Sequence, residues 1–274
     1  MSTAPKRWAW LGIAAIVIYC LAPFYWMLVS SLRKPNDIFE SSPVPSPLSL
    51  ENYTAAFAES NGFIRALGNS FIVAGVTTAA VLVIGTFTAY ALARLDFRFK
   101  NLILAVVITT SMFPGISLLI PLLELFGDIG WINTYQAMIV PSMSFTLPLA
   151  VWNLTAFFRN MPHELEEAAQ IDGATRGQAF RKIILPLAAP GIFTTAIITF
   201  IAAWNEFIIA LSVVNRPDLK TAPVITSQFT GETAFDSPFG TQMAAGVIVT
   251  IPLVILVLVF QRRIVAGLTA GGVK

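Results

Sequence analysis

Six runs without a single charged residue, at 8–32, 66–93, 101–123, 129–158, 183–205 and 237–261, dominate this sequence. Each is long enough to cross a hydrocarbon core of about 30 Å, which takes about 20 helical residues. Inside lipid no water meets an unpaired backbone N–H or C=O, so a chain built from such runs is expected to cross as helices. Composition agrees: 56% of the residues are apolar and only 12% charged, with mean hydropathy +0.74. A water-soluble domain carries about a quarter charged residues. The expectation is an all-α integral membrane chain with six transmembrane helices. Lys6 and Arg7 ahead of the first run imitate a signal peptide. That run is too long for the usual apolar core of one, and no clean cleavage site follows, so it reads as a retained span. The fifth run is trimmed at its start by Pro186 and Pro190 and is expected to continue beyond Glu206 towards Val214. Prolines 23, 114, 121, 141, 148 and 252 fall inside runs. They suit helices that rock between states, and ordinary bent packing accounts for them equally well.

Orientation follows from lysine and arginine. One set of segments holds Lys6, Arg7, Arg94, Arg98, Lys100, Arg159, Arg176, Arg181, Lys182, Arg262, Arg263 and Lys274, twelve of the 17 basic residues. The opposite set holds Arg33, Lys34, Arg65, Arg216 and Lys220. The imbalance puts both termini and the loops at 94–100 and 159–182 in the cytoplasm. The 33–65 segment, the acidic loop at 124–128 and the 215–236 loop then lie outside. Three divisions are expected: 1–65 with the first span, 66–262 with the other five, and a cytoplasmic tail at 263–274.

Several chemistries are unsupported. Cys20 is the only cysteine and His163 the only histidine, which leaves no intrachain disulfide, no cysteine- or histidine-rich metal centre and no metal ligand set. No lysine follows a glycine, so the phosphate-binding glycine-rich loop is missing and any ATP must sit on another polypeptide.

The 159–188 loop is the most informative segment. Leu165, Ala168 and Ala169 fall at i, i+3 and i+4, a small apolar stripe on a short helix. Pro162 suits its first turn, and Glu164, Glu166 and Glu167 put negative charge where the helix dipole favours it. Gly173 is placed to end that helix in the left-handed conformation. Thr175 and Gln178 have the spacing of a capping box opening a second helix, on which Phe180, Ile183, Ile184 and Leu187 recur at i, i+3, i+4 and i+7. The result is a hook at 167–186 with a small-faced acidic arm and a greasy arm. The greasy arm would hold against the chain's own spans. The acidic arm suits docking on a protein better than lying on lipid, because interfacial helices are usually rich in lysine and arginine.

Glu167-Ala168-Ala169, three residues, Gly173, nine residues and Ile183-x-Leu185-Pro186 resemble the EAA loop of inner-membrane permeases of binding-protein-dependent ABC importers. The longer string EAAQIDGATRGQAFRKIILPLAAP is similar to the carbohydrate-uptake branch of maltose and trehalose permeases. Asn69-Ser70, Met112-Phe113-Pro114 and the tail QRRIVAGLTAGGVK extend the likeness. The resemblance implies a type I ABC importer permease fold in a bacterial inner membrane. It implies that Glu167 pairs with a basic residue of an ATPase, that Ala168 and Ala169 make the close contact, that Gly173 gives the bend and that Asp172 caps or salt-bridges nearby. It also implies that 267–274, with Gly267, Leu268 and Thr269, reaches the ATPase dimer. The implied partners are a second homologous permease, two ATP-binding subunits and an extracytoplasmic sugar-binding protein, besides membrane lipid and with no nucleic acid. ATP and Mg belong to the ATPase subunits, and this chain binds no cofactor. A disaccharide such as trehalose or maltose is the expected solute; an oligosaccharide or glycerol phosphate is the alternative within the family.

Glu206 is the one acid well inside a span, with Trp204 and Asn205 before it. At helical rise it lies about 24 Å beyond Pro190, in the outer part of the bilayer. A carboxylate, an amide and an indole suit a polyhydroxylated sugar, and a structural bond to a neighbouring helix suits them equally. The resemblance implies that the external loops receive the binding protein; the 230–239 loop, with Gly231, Glu232, Asp236 and Pro238, reads as a plain connector rather than a substrate-displacing probe. A secondary transporter would show internal repeats and paired intramembrane charges, and a membrane enzyme would need a cluster of His, Asp or Glu; neither pattern is present in the sequence.

Overall fold

The computed structural model describes residues 5–37, 40–230 and 238–270, with the side chains of 5–8 and 262–270 excepted. The expectation for the 230–239 loop therefore falls largely outside the described residues. The described secondary structure is entirely helical: α1 Pro5–Ser31, α2 Glu51–Ala56, α3 Phe63–Arg94, α4 Lys100–Thr110, α5 Leu119–Asp128, α6 Tyr135–Arg159, α7 Glu164–Ile171, α8 Arg176–Ala179, α9 Leu185–Trp204, α10 Ile208–Val213, α11 Ala222–Ser227 and α12 Phe239–Ala270. Among the described residues, five helices are long and apolar enough to cross a membrane, or up to six if α4 and the Gly115–Asp128 segment form one bent span.

That bend corrects the third expected span, which read as continuous over 101–123. Lys100–Thr110 and Gly115–Asp128 meet at 85°. Hydropathy runs unbroken through the bend, but Pro114 has no N–H to continue the ladder and takes an extended ψ of 110°. The fifth span is corrected as well. It ends at Trp204, and a separate helix, α10, starts at Ile208.

The chain divides into two compact units, Met1–Ala66 with Ala222–Pro252, and Leu67–Thr221 with Leu253–Lys274. In the first unit Phe57, Phe63 and Phe229 form an edge-to-face chain with centroids 5.6 and 5.9 Å apart. Its 33–65 segment is tied down by polar groups. Asn52 Nδ2 donates to the carbonyls of Ser31 and Arg33 at 3.1 and 2.7 Å. Buried Arg33 donates to the carbonyls of Glu40 and Ser42 and sits over the Trp26 ring.

In the second unit α6 and α9 pack through a glycine. A Cβ on Gly191 would lie 2.6 Å from the Phe157 ring, so the ring occupies the space a side chain would need. The unit's core gathers Ala89, Leu154, Phe158, Phe180, Ile184 and Ala188. Hydroxyls within α6 turn back on their own helix: Ser142 donates to Met138 O and Thr146 to Ser142 O, at 2.8 and 2.7 Å. This back-bonding satisfies them without a neighbour. Asn69 ties three segments together. Its amide nitrogen donates to the Asp218 and Lys220 carbonyls at 3.0 and 2.9 Å, and its oxygen accepts from the Tyr135 hydroxyl at 2.7 Å.

Gly191→Val is expected to force α9 from α6 and to lower the stability of the purified chain by about 1–3 kcal/mol, the usual cost of overpacking. Thermal unfolding in detergent, compared with the wild type, measures it.

Candidate functional site

The hook forms as two arms. Glu164, Glu166 and Glu167 occupy the first turn of α7, where the partial positive charge of the free N–H groups favours carboxylates. Pro162 stands one residue before the N-cap His163 rather than inside the first turn. The helix ends in a full left-handed cap. Gly173 has φ +86°; its N–H bonds to Gln170 O at 3.0 Å, and Ala174 N–H bonds to Ala169 O at 2.9 Å. These two bonds are the Schellman pattern, and glycine adopts that φ without a Cβ penalty. Thr175 then opens α8 with a reciprocal capping box: Gln178 N–H donates to Thr175 Oγ1 at 3.3 Å, and Thr175 N–H to Gln178 Oε1 at 2.8 Å.

The greasy arm does not stop before the fifth span; 176–204 is one continuous helical path. Residues Phe180–Ile184 form a π-helical turn within it. Phe180 and Ile184 are buried, in contact with α3 and α6 residues of the core, as expected for an arm held by the chain's own spans. Leu187 departs from the expected stripe: it is exposed, and Ala188 is buried instead. The wider π turn adds a residue to the circuit and moves the apolar face on by one.

The acidic arm shows its residues unequally. Glu167, Ala168, Asp172 and Gly173 are exposed, whereas Ala169 is buried against the chain. The two alanines therefore face different ways. Asp172 fills the C-cap position with its backbone, and its carboxylate has no ion pair among the described residues. Ile171 is 86% exposed, a large apolar side chain standing out beside Glu167 and Ala168. Sequence reasoning passed over Ile171, because it lies off the Leu165–Ala168–Ala169 stripe; that offset is itself the signal that it points away from the chain.

One grouping escaped the sequence, that of Tyr90 and Arg94 with Glu166. Arg94, the last residue of α3, has a side chain 1% exposed and lies 3.2 Å from Glu166 Oε1. Its Nη2 donates to Met161 O at 2.8 Å. The Tyr90 hydroxyl donates to Glu166 Oε2 at 3.4 Å. No local spacing rule connects 90 and 94 with 166.

Gly267, Leu268 and Thr269 lie on the helical backbone of α12, which continues to Ala270; their side chains and residues 271–274 are outside the described part. At the other expected site, Trp204 is buried and packs against Phe71 and Phe200, at centroid distances of 4.7 and 5.7 Å. Asn205 is exposed and donates to Ile201 O at 2.9 Å. Glu206 Oε1 and Oε2 accept the N–H groups of Ile209 and Ala210 at 2.7 and 3.0 Å. Its carboxylate thus caps α10, which is why the helix restarts there. Glu206 also lines a cavity of about 180 Å³ with Gly115, Ile116, Leu119, Leu122, Phe145 and Ile208. The bend at Pro114 and the break at Glu206 therefore border the same space.

The family described as "Binding-protein-dependent transport system inner membrane component" matches residues 58–269. The chain is 44% identical to the trehalose transport system permease protein SugB of Mycobacterium tuberculosis, over 97% of each chain. It is 43% identical to the trehalose/maltose transport system permease protein MalG of Thermococcus litoralis, over 96% of this chain and 95% of the relative. It is 39% identical to the sulfoquinovosyl glycerol transport system permease protein SmoH of Agrobacterium fabrum, over 98% and 94%. Among solved structures, a bacterial ABC transporter involved in alginate import superimposes with TM-score 0.79 at 18% identity, covering 96% of this chain and 98% of that one. The MetNI methionine ABC transporter gives TM-score 0.59 at 23% identity, covering 75% and 95%. These last two speak to the fold.

Glu206→Ala should leave the N–H groups of Ile209 and Ala210 without acceptors and destabilise the chain by about 1–3 kcal/mol. Glu206→Gln keeps one oxygen acceptor and should cost less. Unfolding midpoints of the two purified variants give the order.

Proposed function

This chain belongs to the family of binding-protein-dependent transport system inner-membrane components, and from that premise we propose that it is the permease subunit of a sugar importer whose hook grips an ATPase. Members of this family are membrane subunits of ABC transporters, and ATP is hydrolysed on their partners. The chain is a multi-pass membrane protein. The observation that carries the docking reading is the exposed surface of the acidic arm: Glu167, Ala168 and Ile171 stand out ahead of a left-handed glycine turn.

On this reading Glu167 pairs with a basic residue of the ATPase, a charge-assisted contact. Ala168 lets the partner's backbone approach, and Ile171 fills an apolar recess beside it. Ala169 and Gly173 support that surface by holding the arm's shape, and Asp172 borders the contact. Gly267, Leu268 and Thr269, on the extension of α12, reach the ATPase dimer. The fold is of type I, with both termini and the 159–188 loop cytoplasmic as the lysine and arginine bias directs. The first division, 1–65, carries span one and an external segment, 66–262 the transporting helices, and 263–274 the cytoplasmic tail. A second homologous permease completes the pathway. Two ATP-binding subunits with Mg and ATP drive it, and an extracytoplasmic binding protein delivers the solute.

The solute is a disaccharide of the trehalose or maltose kind, supported by what two of the similar permeases are named for. An oligosaccharide or glycerol phosphate is the second reading within the same family. Asn205 and Glu206 border the path, with Trp204 as the buried support beneath them. ATP binding favours the state in which the ATPase dimer is closed, and the hook carries that preference into the spans.

Gly173→Pro tests the hook directly. Proline fixes φ near −65° and lacks the N–H that meets Gln170 O, so the turn cannot form. The variant is expected to insert its spans normally but to lose ATPase capture in pull-down, or to hydrolyse ATP without uptake in vesicles. Normal coupled uptake would overturn the assignment. Glu167→Lys, on the exposed face, should weaken ATPase capture by about tenfold through loss of one charged contact, read as the shift in the pull-down titration.

A further inference from the structure

Glu166 and Glu167 are neighbours in sequence with opposite surroundings. Glu167 is exposed, on the face assigned to the ATPase, and Glu166 turns inward. Its carboxylate is held by two residues of one helix: Arg94 Nε stands 3.2 Å from Oε1, and the Tyr90 hydroxyl, one turn earlier on α3, donates to Oε2 at 3.4 Å. The guanidinium simultaneously donates from Nη2 to Met161 O at 2.8 Å, just beyond the end of α6. One buried cation therefore links α3, the end of α6 and the arm α7.

This link is a poor choice if its only task is to fix the loop. The Nε–Oε1 approach is out of line for a hydrogen bond, and Arg94 Nε, Arg94 Nη1 and Glu166 Oε1 are buried without a hydrogen-bond partner. A buried, incompletely satisfied ion pair contributes little net stability compared with apolar residues of the same volume. Apolar packing already anchors the hook through Phe180, Ile184 and Leu165. What the pair adds is a directional connection with a second arrangement in reach. Arg94 Nη2 also lies 3.5 Å from Pro162 O, and Nη1 has a donor to spare. A shift of α7 can thus be followed by re-pairing rather than by rupture.

We propose that Arg94, assisted by Tyr90, is a positioning residue that passes the displacement of α7 through Glu166 into α3. The greasy arm is continuous with α9, so the hook has its own line to the fifth span; the Arg94–Glu166 pair gives it a separate line to α3. This inference rests on the reading that the acidic arm docks on an ATPase.

The test uses the assembled complex of this chain, its partner permease and two ATPase subunits in lipid, with Cys20→Ser and a spin label at Val76→Cys on α3. In the otherwise unaltered complex, a non-hydrolysed ATP analogue is expected to change the spectrum of the label. In Arg94→Gln and in Glu166→Gln, ATPase capture and basal ATP hydrolysis are expected to stay within about twofold, and the analogue-induced change to fall about tenfold, a span usual for an allosteric coupling. The double variant should lose no more than either single, since the two side chains act as one link. Glu166→Gln is nearly isosteric and decides the matter if Arg94→Gln fails to assemble. An unchanged spectral response in Glu166→Gln overturns the proposal, as does a label on α3 that never responds to nucleotide. Failure of both single variants to capture the ATPase also overturns it, because the pair would then only hold the hook's shape. Failure of the docking reading is seen separately and earlier, as absence of ATPase capture by the unaltered chain.

Discussion

A backbone N–H or C=O without a partner costs several kcal/mol in hydrocarbon, and the form of this molecule follows from how that cost is avoided. Long helices avoid it by themselves. Where the fifth span stops, a side chain takes over. Glu206 accepts the N–H groups that open α10. Asn133, itself at φ +60°, accepts from the N–H groups of Asn215 and Arg216 with its side chain and donates its own N–H to Val213 O. Asn69 donates to the carbonyls of Asp218 and Lys220. Glu206 thus serves the start of α10, and Asn133 and Asn69 hold the segment at 215–220 that follows it.

Each arm of the hook is mechanically distinct for equally local reasons. The greasy arm enters α9 through a π turn, without an end cap or a loop, so arm and span move as one path. The acidic arm is set off by the Schellman turn at Gly173, whose hydrogen bonds close on α7 itself rather than on α8. On the proposed docking, the partner would hold the arm before the Gly173 turn, and the arm after it would carry the displacement into α9. Close packing of α9 on α6 at Gly191 leaves no compressible layer between the two helices.

Much of this was legible in the residue pattern, because the signals involved are local. The charge-free runs mark α1, α3, α6, α9 and α12 through their hydropathy; the capping box of Thr175 and Gln178 and the turn at Gly173 are both set by residues within a few positions of each other. The parts that were not legible depend on what a window cannot see. Hydropathy is the same on either side of Pro114, so a sum over 101–123 passes straight through an 85° bend. A count at i, i+3, i+4 and i+7 assumes an α-helical circuit, and the π turn at Phe180–Ile184 moves burial from Leu187 to Ala188. An acid in lipid needs a partner, which from sequence suits a ligand or an interhelical bond; that the partners are the N–H groups three and four residues on follows only once the helix has broken. The pairing of Arg94 with Glu166 spans 72 positions and leaves no periodic trace.

On the proposed docking, the adjacency of Glu166 and Glu167 gives a reason for the acidic arm to be a helix rather than an extended loop. Successive residues of a helix diverge by about 100°, from 3.6 residues per turn, so two neighbouring carboxylates can face a partner protein and the chain's own interior while sharing a single rigid backbone. In a strand they would point to opposite sides, but no turn of backbone hydrogen bonds would lock one to the other. Here Glu166 N–H and Glu167 N–H both return to His163 O, at 3.0 and 3.3 Å. On the proposed relay, a load applied at position 167 would reach 166 through the covalent chain and one shared carbonyl. The inward residue then needs a partner that is fixed to a span, and Arg94 is fixed because it ends α3 while its guanidinium also holds the turn after α6. On that proposal, replacing either acid by an apolar residue would remove one half of the two-sided contact, and so separate docking from transmission.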